Sequence, residues 1–122
     1  MYKQLRSIEK IDRDICFAGA SFIGLYMEDL LCRISELENS DSKKKLIEEY
    51  HKNQQGYFDK ELSGTTTRVN SVIRIIKAEM VEYALEKVID SNNKVNEEVR
   101  NKTKDVLYKI RNGKLKLPVL EE

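Results

Sequence analysis

The chain has 122 residues, 40% apolar and 35% charged, with 22 basic and 21 acidic residues for a net charge of +1. That length suits one domain, and the apolar share supports a core that needs no metal or disulfide to fold. Five glycines and one proline are too few for the turns of an all-β protein, and the balanced charge removes any bulk drive toward nucleic acid or membrane, so only a local patch can supply one.

Leu5, Ile8, Ile11 and Ile15 recur at helical spacing and predict an amphipathic helix over about 3–16. The opening residues are charged and lack the apolar stretch of a signal peptide, and the longest mostly apolar run, 15–26, is too short to cross a bilayer. Ile23, Tyr26, Leu30, Ile34 and Leu37 place a second helix up to about Asn39. Cys16 and Cys32 lie in these apolar-patterned stretches without metal-type spacing. They are expected to be buried, reduced thiols, consistent with a cytoplasmic protein that does not meet a membrane.

Ser40, Asp41 and Ser42 offer cap oxygens to a short third helix carrying Leu46, Ile47 and Tyr50. The single histidine, His51, is expected on its wet side, with no companions for a metal set. Tyr57, Phe58 and Leu62 read as a loop pinned by aromatics.

The strongest helix is expected over about 65–90, with apolar residues from Val69 to Ile89 covering more than one stripe. Such a helix sits at the centre of a bundle or against another subunit, so a homo-oligomer is expected. Thr65, Thr66 and Thr67 suit its start, where hydroxyls satisfy free amides and an anion is favoured. From there Thr67, Asn70, Ser71, Arg74 and Lys77 form one polar stripe, flanked by Arg68. Arginine and asparagine on such an edge suit phosphates or base edges, although the solvent side of an ordinary capped helix has the same pattern. Further along, Glu79, Glu82, Glu86 and Asp90 share a face that would hold Mg²⁺ only if a facing helix matched it.

Val95, Val99, Val106 and Ile110, with Thr103 between them, carry a fifth helix that Asn112-Gly113 ends. Arg100, Lys102, Lys104, Lys109, Arg111, Lys114 and Lys116 cluster there against the single Asp105. This is the footprint of a phosphate-binding surface or the complement of an acidic neighbour within the protein. The tail from Lys114 to Leu120 alternates polar and apolar residues and reads as an extended arm.

The expectation is therefore an all-α bundle of four or five helices, with one domain over 1–113 and a tail over 114–122. The favoured function is a non-enzymatic binding protein without cofactor or metal. It would contact nucleic acid or phosphate through residues 65–77 and the basic cluster. Alternatives are capture of a small phosphorylated ligand such as a nucleotide, or protein docking through the C-terminal arm. A weaker one is a Mg²⁺-dependent nucleotide hydrolase built on Glu79, Glu82 and Glu86.

Overall fold

A computed structural model describes residues 2–54, 59–91 and 94–121. The expected aromatic loop at Tyr57 and Phe58 lies outside these residues. The fold is all-α. Its helices are α1 (Ile8–Ala18), α2 (Ala20–Cys32), α3 (Ser40–Lys52), α4 (Leu62–Lys77), α5 (Val81–Ile89) and α6 (Glu97–Arg111), with a 3₁₀ turn at Ile34–Leu37.

Ser7 caps α1, its hydroxyl accepting from the Lys10 amide. The helix turns Ile11, Asp14 and Ala18 inward, mainly against α4. Cys16 lies off that stripe and is exposed, as is Cys32 at the last position of α2, so neither thiol is buried as expected. Gly19 ends α1 and begins α2 with φ 87°, and the chain bends by 94° there. A side chain at this position would be strained by that backbone. Its Cβ would also lie 2.5 Å from Arg68 Nη1.

The core is one continuous cluster that includes Ile23, Met27 and Leu30 of α2, Val72, Ile75 and Ile76 of α4, Leu85 and Val88 of α5, and Val99 and Val106 of α6. Phe22, Tyr26 and Tyr50 form an aromatic group at its α3 end, with Phe22–Tyr26 and Tyr26–Tyr50 centroids both 4.8 Å apart. Burial and a hydrogen bond to Asp29 push the Tyr50 hydroxyl above the ordinary tyrosine range. Helices α2 and α6 approach closely at Gly24, where a Cβ would lie 2.5 Å from Thr103 Oγ1 and 2.7 Å from Val99 Cγ1. Thr103 itself is fully buried and returns its hydroxyl proton to the Val99 carbonyl at 2.7 Å.

The expected long central helix is two helices. After Lys77 the chain passes Ala78 and enters the left-handed region at Glu79, φ 58°. The Met80 amide donates to Ile75 O at 3.1 Å and the Glu79 amide to Ile76 O at 3.0 Å. These are the paired bonds of a Schellman end. Helix α6 closes in the same way, with Lys114 N donating to Lys109 O and Gly113 N to Ile110 O, but its left-handed residue is a glycine. Sequence patterning catches the second stop and misses the first, because the apolar period runs through position 79 and no glycine marks it.

The tail folds back. The Lys3 amide donates to Glu121 O and the Gln4 amide to Lys77 O, each at 2.8 Å. Tyr2 and Glu121 form an isolated parallel bridge, and the described residues contain no longer strand. Leu115 packs on the core, while Val119 is 96% exposed.

Replacing Glu79 by glycine removes a left-handed side chain, which costs about 1–2 kcal/mol, and adds back some unfolded-chain entropy. Glu79→Gly is expected to stabilise the protein by about 0.5–1 kcal/mol in urea unfolding. Gly24→Ala is expected to destabilise it by about 1–3 kcal/mol in the same measurement, because α2 and α6 must separate.

Candidate functional site

Helix α4 begins at Leu62, one turn earlier than the threonines suggest, and its N-cap residue, Glu61, supplies no side-chain cap. The three threonines are therefore inside the helix. Thr66 and Thr67 donate to the carbonyls of Leu62 and Ser63, both at 3.0 Å, a local bond that serves a threonine within a helix. Thr65 is buried. Its hydroxyl lies 3.0 Å from His51 Nδ1 and donates to Asp59 Oδ2 at 3.3 Å. His51 is thus half-buried and held within a polar network, not on an open surface.

Gly64 makes room for Asp59, whose Oδ1 lies 2.6 Å from where a Cβ would stand. The carboxylate also accepts from Arg68 Nε at 2.9 Å. The negative charge favoured at a helix start is thereby supplied by the chain itself. An external phosphate at Ser63–Arg68 would have to displace Asp59.

The rest of the stripe is also largely drawn inward. Ser71 is fully buried and accepts from Arg74 Nη2 at 3.0 Å. Arg74 Nε donates to Asp14 Oδ1 at 2.8 Å. Asp14 is 1% exposed, and Arg6 Nε faces its other oxygen at 2.9 Å as an ion pair not aligned as a hydrogen bond. One buried carboxylate thus ties the N-terminal segment, α1 and α4 together. Asn70 is half-buried, and Lys77 closes the stripe at the far end of α4.

The C-terminal cluster divides similarly. Arg100 donates to Ile89 O at 3.1 Å and Ser91 O at 3.4 Å, serving the end of α5. Arg111 bridges Glu82 and Glu86 of α5. Lys102 and Lys109 both meet Glu28 of α2, at 3.5 and 2.9 Å. The hydrogen bond from Lys109 outweighs partial burial and holds the Glu28 carboxyl below the usual range. Lys114 lies over the Tyr108 ring, and Lys104 and Lys116 are exposed. In the acidic line, Glu82 and Glu86 pair with Arg111, and Glu79 pairs with Lys3 at 3.4 Å. Among the described residues no three histidine, cysteine or acidic side chains converge as a metal set.

A concavity of about 740 Å³ opens at the α1–α2 bend. Its α1 wall holds Asp12, Ile15 and Cys16, and its floor is Gly19, Ala20 and Ser21 at the start of α2, with Arg68 beside them. Lys87 and Asp90 from the end of α5, with Ser91 and Lys94 beyond it, complete the opposite wall. Helix α2 has no side-chain cap, so the opening amides of Ala20 and Ser21 lie at the cleft without that satisfaction. Arg68 is braced here by Asp59 and by the Ala18 carbonyl, which it meets at 2.6 Å. Tyr83 donates to Asp12 at 2.7 Å, and this bond holds the phenol above its ordinary range. Lys87 leans over the Tyr83 ring, 5.5 Å from its centroid.

Of the expected ligand residues, only Arg68 lines this cleft. Lys87, Lys94, Ala20 and Ser21 join it because α5 and α2 pack beside α1, a neighbourhood that spacing along the chain does not reveal. Comparison with protein-family models, curated proteins and solved structures gives no match to this chain.

Asp14→Ala is expected to cost about 3 kcal/mol in urea unfolding, because Arg6 and Arg74 lose their shared carboxylate. Glu28 contributes stability that is fully present above the ordinary glutamate value of 4.5 and is lost as pH falls through its lower folded value. Glu28→Gln is therefore expected to flatten the acid limb of the melting temperature against pH relative to wild type.

Proposed function

We propose that this chain is a non-enzymatic binding protein that holds a phosphate-bearing small molecule, of nucleotide size, in the cleft at the α1–α2 bend. The observation that carries the reading is the meeting of Lys87, Lys94 and Arg68 with the uncapped start of α2 in one concavity. Its volume lies in the usual range of small-molecule pockets, about 300–1,000 Å³. Lysines and helix-start amides supply charge and donors to phosphate oxygens. Ile15, Cys16 and Ala20 give a base an apolar wall, and Asp90 can accept from ribose hydroxyls. Arg68, braced on two sides, fixes the floor at little entropic cost on binding.

A second reading, contact with nucleic acid, is favoured by one observation. Lys104 and Lys116 are exposed and carry no ion pair among the described residues. Loss of DNA and RNA binding in Lys104→Gln/Lys116→Gln at low salt would support it, and undetectable binding by wild type would remove it.

Thermal unfolding with nucleoside mono-, di- and triphosphates tests the cleft. A ligand at about a hundredfold its Kd stabilises the native state by about 2.7 kcal/mol. That is expected as a rise of several degrees in wild type, absent in Lys87→Glu/Lys94→Glu. No rise with any nucleotide at low ionic strength, or a rise that survives in the double variant, overturns the reading.

A further inference from the structure

A smaller concavity of about 320 Å³ lies at the other end of α4, lined by Tyr2, Leu37, Glu38, Lys43, Ile73 and Lys77. It gathers parts of four segments. Tyr2 is held in place by its bridge to Glu121 and by the adjoining Lys3 amide bond to the Glu121 carbonyl. Lys77 is the last residue of α4, and its carbonyl accepts from the Gln4 amide. Lys43 stands in the first half of α3, and Leu37 and Ile73, both buried, form the apolar backing.

Two features set this concavity apart from an ordinary charged surface. The first is that its two lysines have no carboxylate partner among the described residues. Other cation–carboxylate pairs include Lys3, Lys102 and Lys109, yet neither Lys43 nor Lys77 forms an ion pair among the described residues. Burial, and then the Lys77 charge, hold the Lys43 ammonium below the ordinary lysine range, and no carboxylate offsets them, although Glu38 stands on the same wall. Two like charges beside an apolar wall raise the free energy of the empty site, and an anion between them lowers it. The second feature is Tyr2, an aromatic ring 67% exposed at the mouth, where a flat apolar group can cover it.

We propose that Lys43 and Lys77 form a second anion site, which binds the phosphate of a small aromatic phosphomonoester whose ring lies against Tyr2. Lysine binds phosphate as a compact point charge, and two of them match a dianion. Glu38 on the same wall sets a limit on the ligand, since it repels a second acidic group. The site shares no residue with the α1–α2 cleft, and it stands whether or not that cleft binds a nucleotide.

Amide NMR titration at low ionic strength, with inorganic phosphate and with phenyl phosphate, tests the proposal and locates any response. With either probe, shifts are expected to centre on Tyr2, Lys43 and Lys77. Lys43→Gln/Lys77→Gln is expected to weaken both probes at least tenfold. The variant loses no ion pair and relieves a repulsion, so its spectrum stays that of a folded chain, and either single substitution serves the same purpose with a smaller effect. Tyr2→Leu is expected to weaken phenyl phosphate severalfold and leave inorganic phosphate unchanged. Lys87→Gln/Lys94→Gln is expected to leave all these shifts in place, which separates this site from the cleft. Shifts that are absent in wild type, or unchanged in the Lys43→Gln/Lys77→Gln chain, overturn the anion site. Equal losses for both probes in Tyr2→Leu overturn the aromatic part.

Discussion

The guanidinium of Arg68 occupies the space that a side chain at position 19 would need. That single exclusion links two things the chain needs at once. Gly19 can take a positive φ and turn the backbone through a right angle between α1 and α2. Arg68 can then reach the Ala18 carbonyl, the last residue of α1, where a cation is favoured by the helix dipole. Because Asp59 holds the same guanidinium from its other side, the bend is fixed to α4 and not left to the glycine alone. The start of α2 is therefore presented at a defined place, with α5 closing the opposite wall.

The arginines of this protein act chiefly as internal fasteners. Arg74 spans from α4 to a buried aspartate on α1, Arg100 serves the end of α5, Arg111 ties α6 to α5, and Arg33 joins Glu36 and Glu49. Planar guanidinium groups suit this work, since one side chain can satisfy several acceptors in a fixed geometry. The lysines divide differently. Some meet Glu28, but Lys43, Lys77, Lys87 and Lys94 stand at concave surfaces. The dense C-terminal cluster is largely engaged in holding α6 to α2 and α5.

Much of the architecture was legible in the linear pattern, and the reasons for the rest are specific. Apolar recurrence marked the helical stretches, although it ran α4 and α5 together, and Asn112-Gly113 marked the end of α6, because both are local signals. The stop at Glu79 has the same hydrogen bonds as the stop at Gly113, yet it carries a residue that ordinarily continues a helix. The threonines resemble cap residues, but the cap site lies elsewhere and their hydroxyls turn to carbonyls within the helix. The thiols sit in apolar stretches, but Cys16 falls on the side of α1 away from Ile11 and Ala18. As for the candidate sites, the partners of Arg68 and Arg74 could not be read, since the Asp14–Arg74 pair joins residues 60 positions apart. Lys77 was among the residues expected to bind, but that Lys43 shares a concavity with it was not legible, because α3 meets α4 only in the folded chain.

The pairing of Tyr2 with Glu121 has a practical corollary. Residues from the two ends of the described chain lie side by side, so anything appended to either one departs from a common pole. The same adjacency suits a circular permutation of residues 2–121, with Tyr2 and Glu121 joined by a short linker and the chain opened in a surface connection. In such a rearranged chain the Tyr2–Glu121 pairing would lie within a loop, and its contribution to holding the C-terminal end of α4 would be separable from that of the helices.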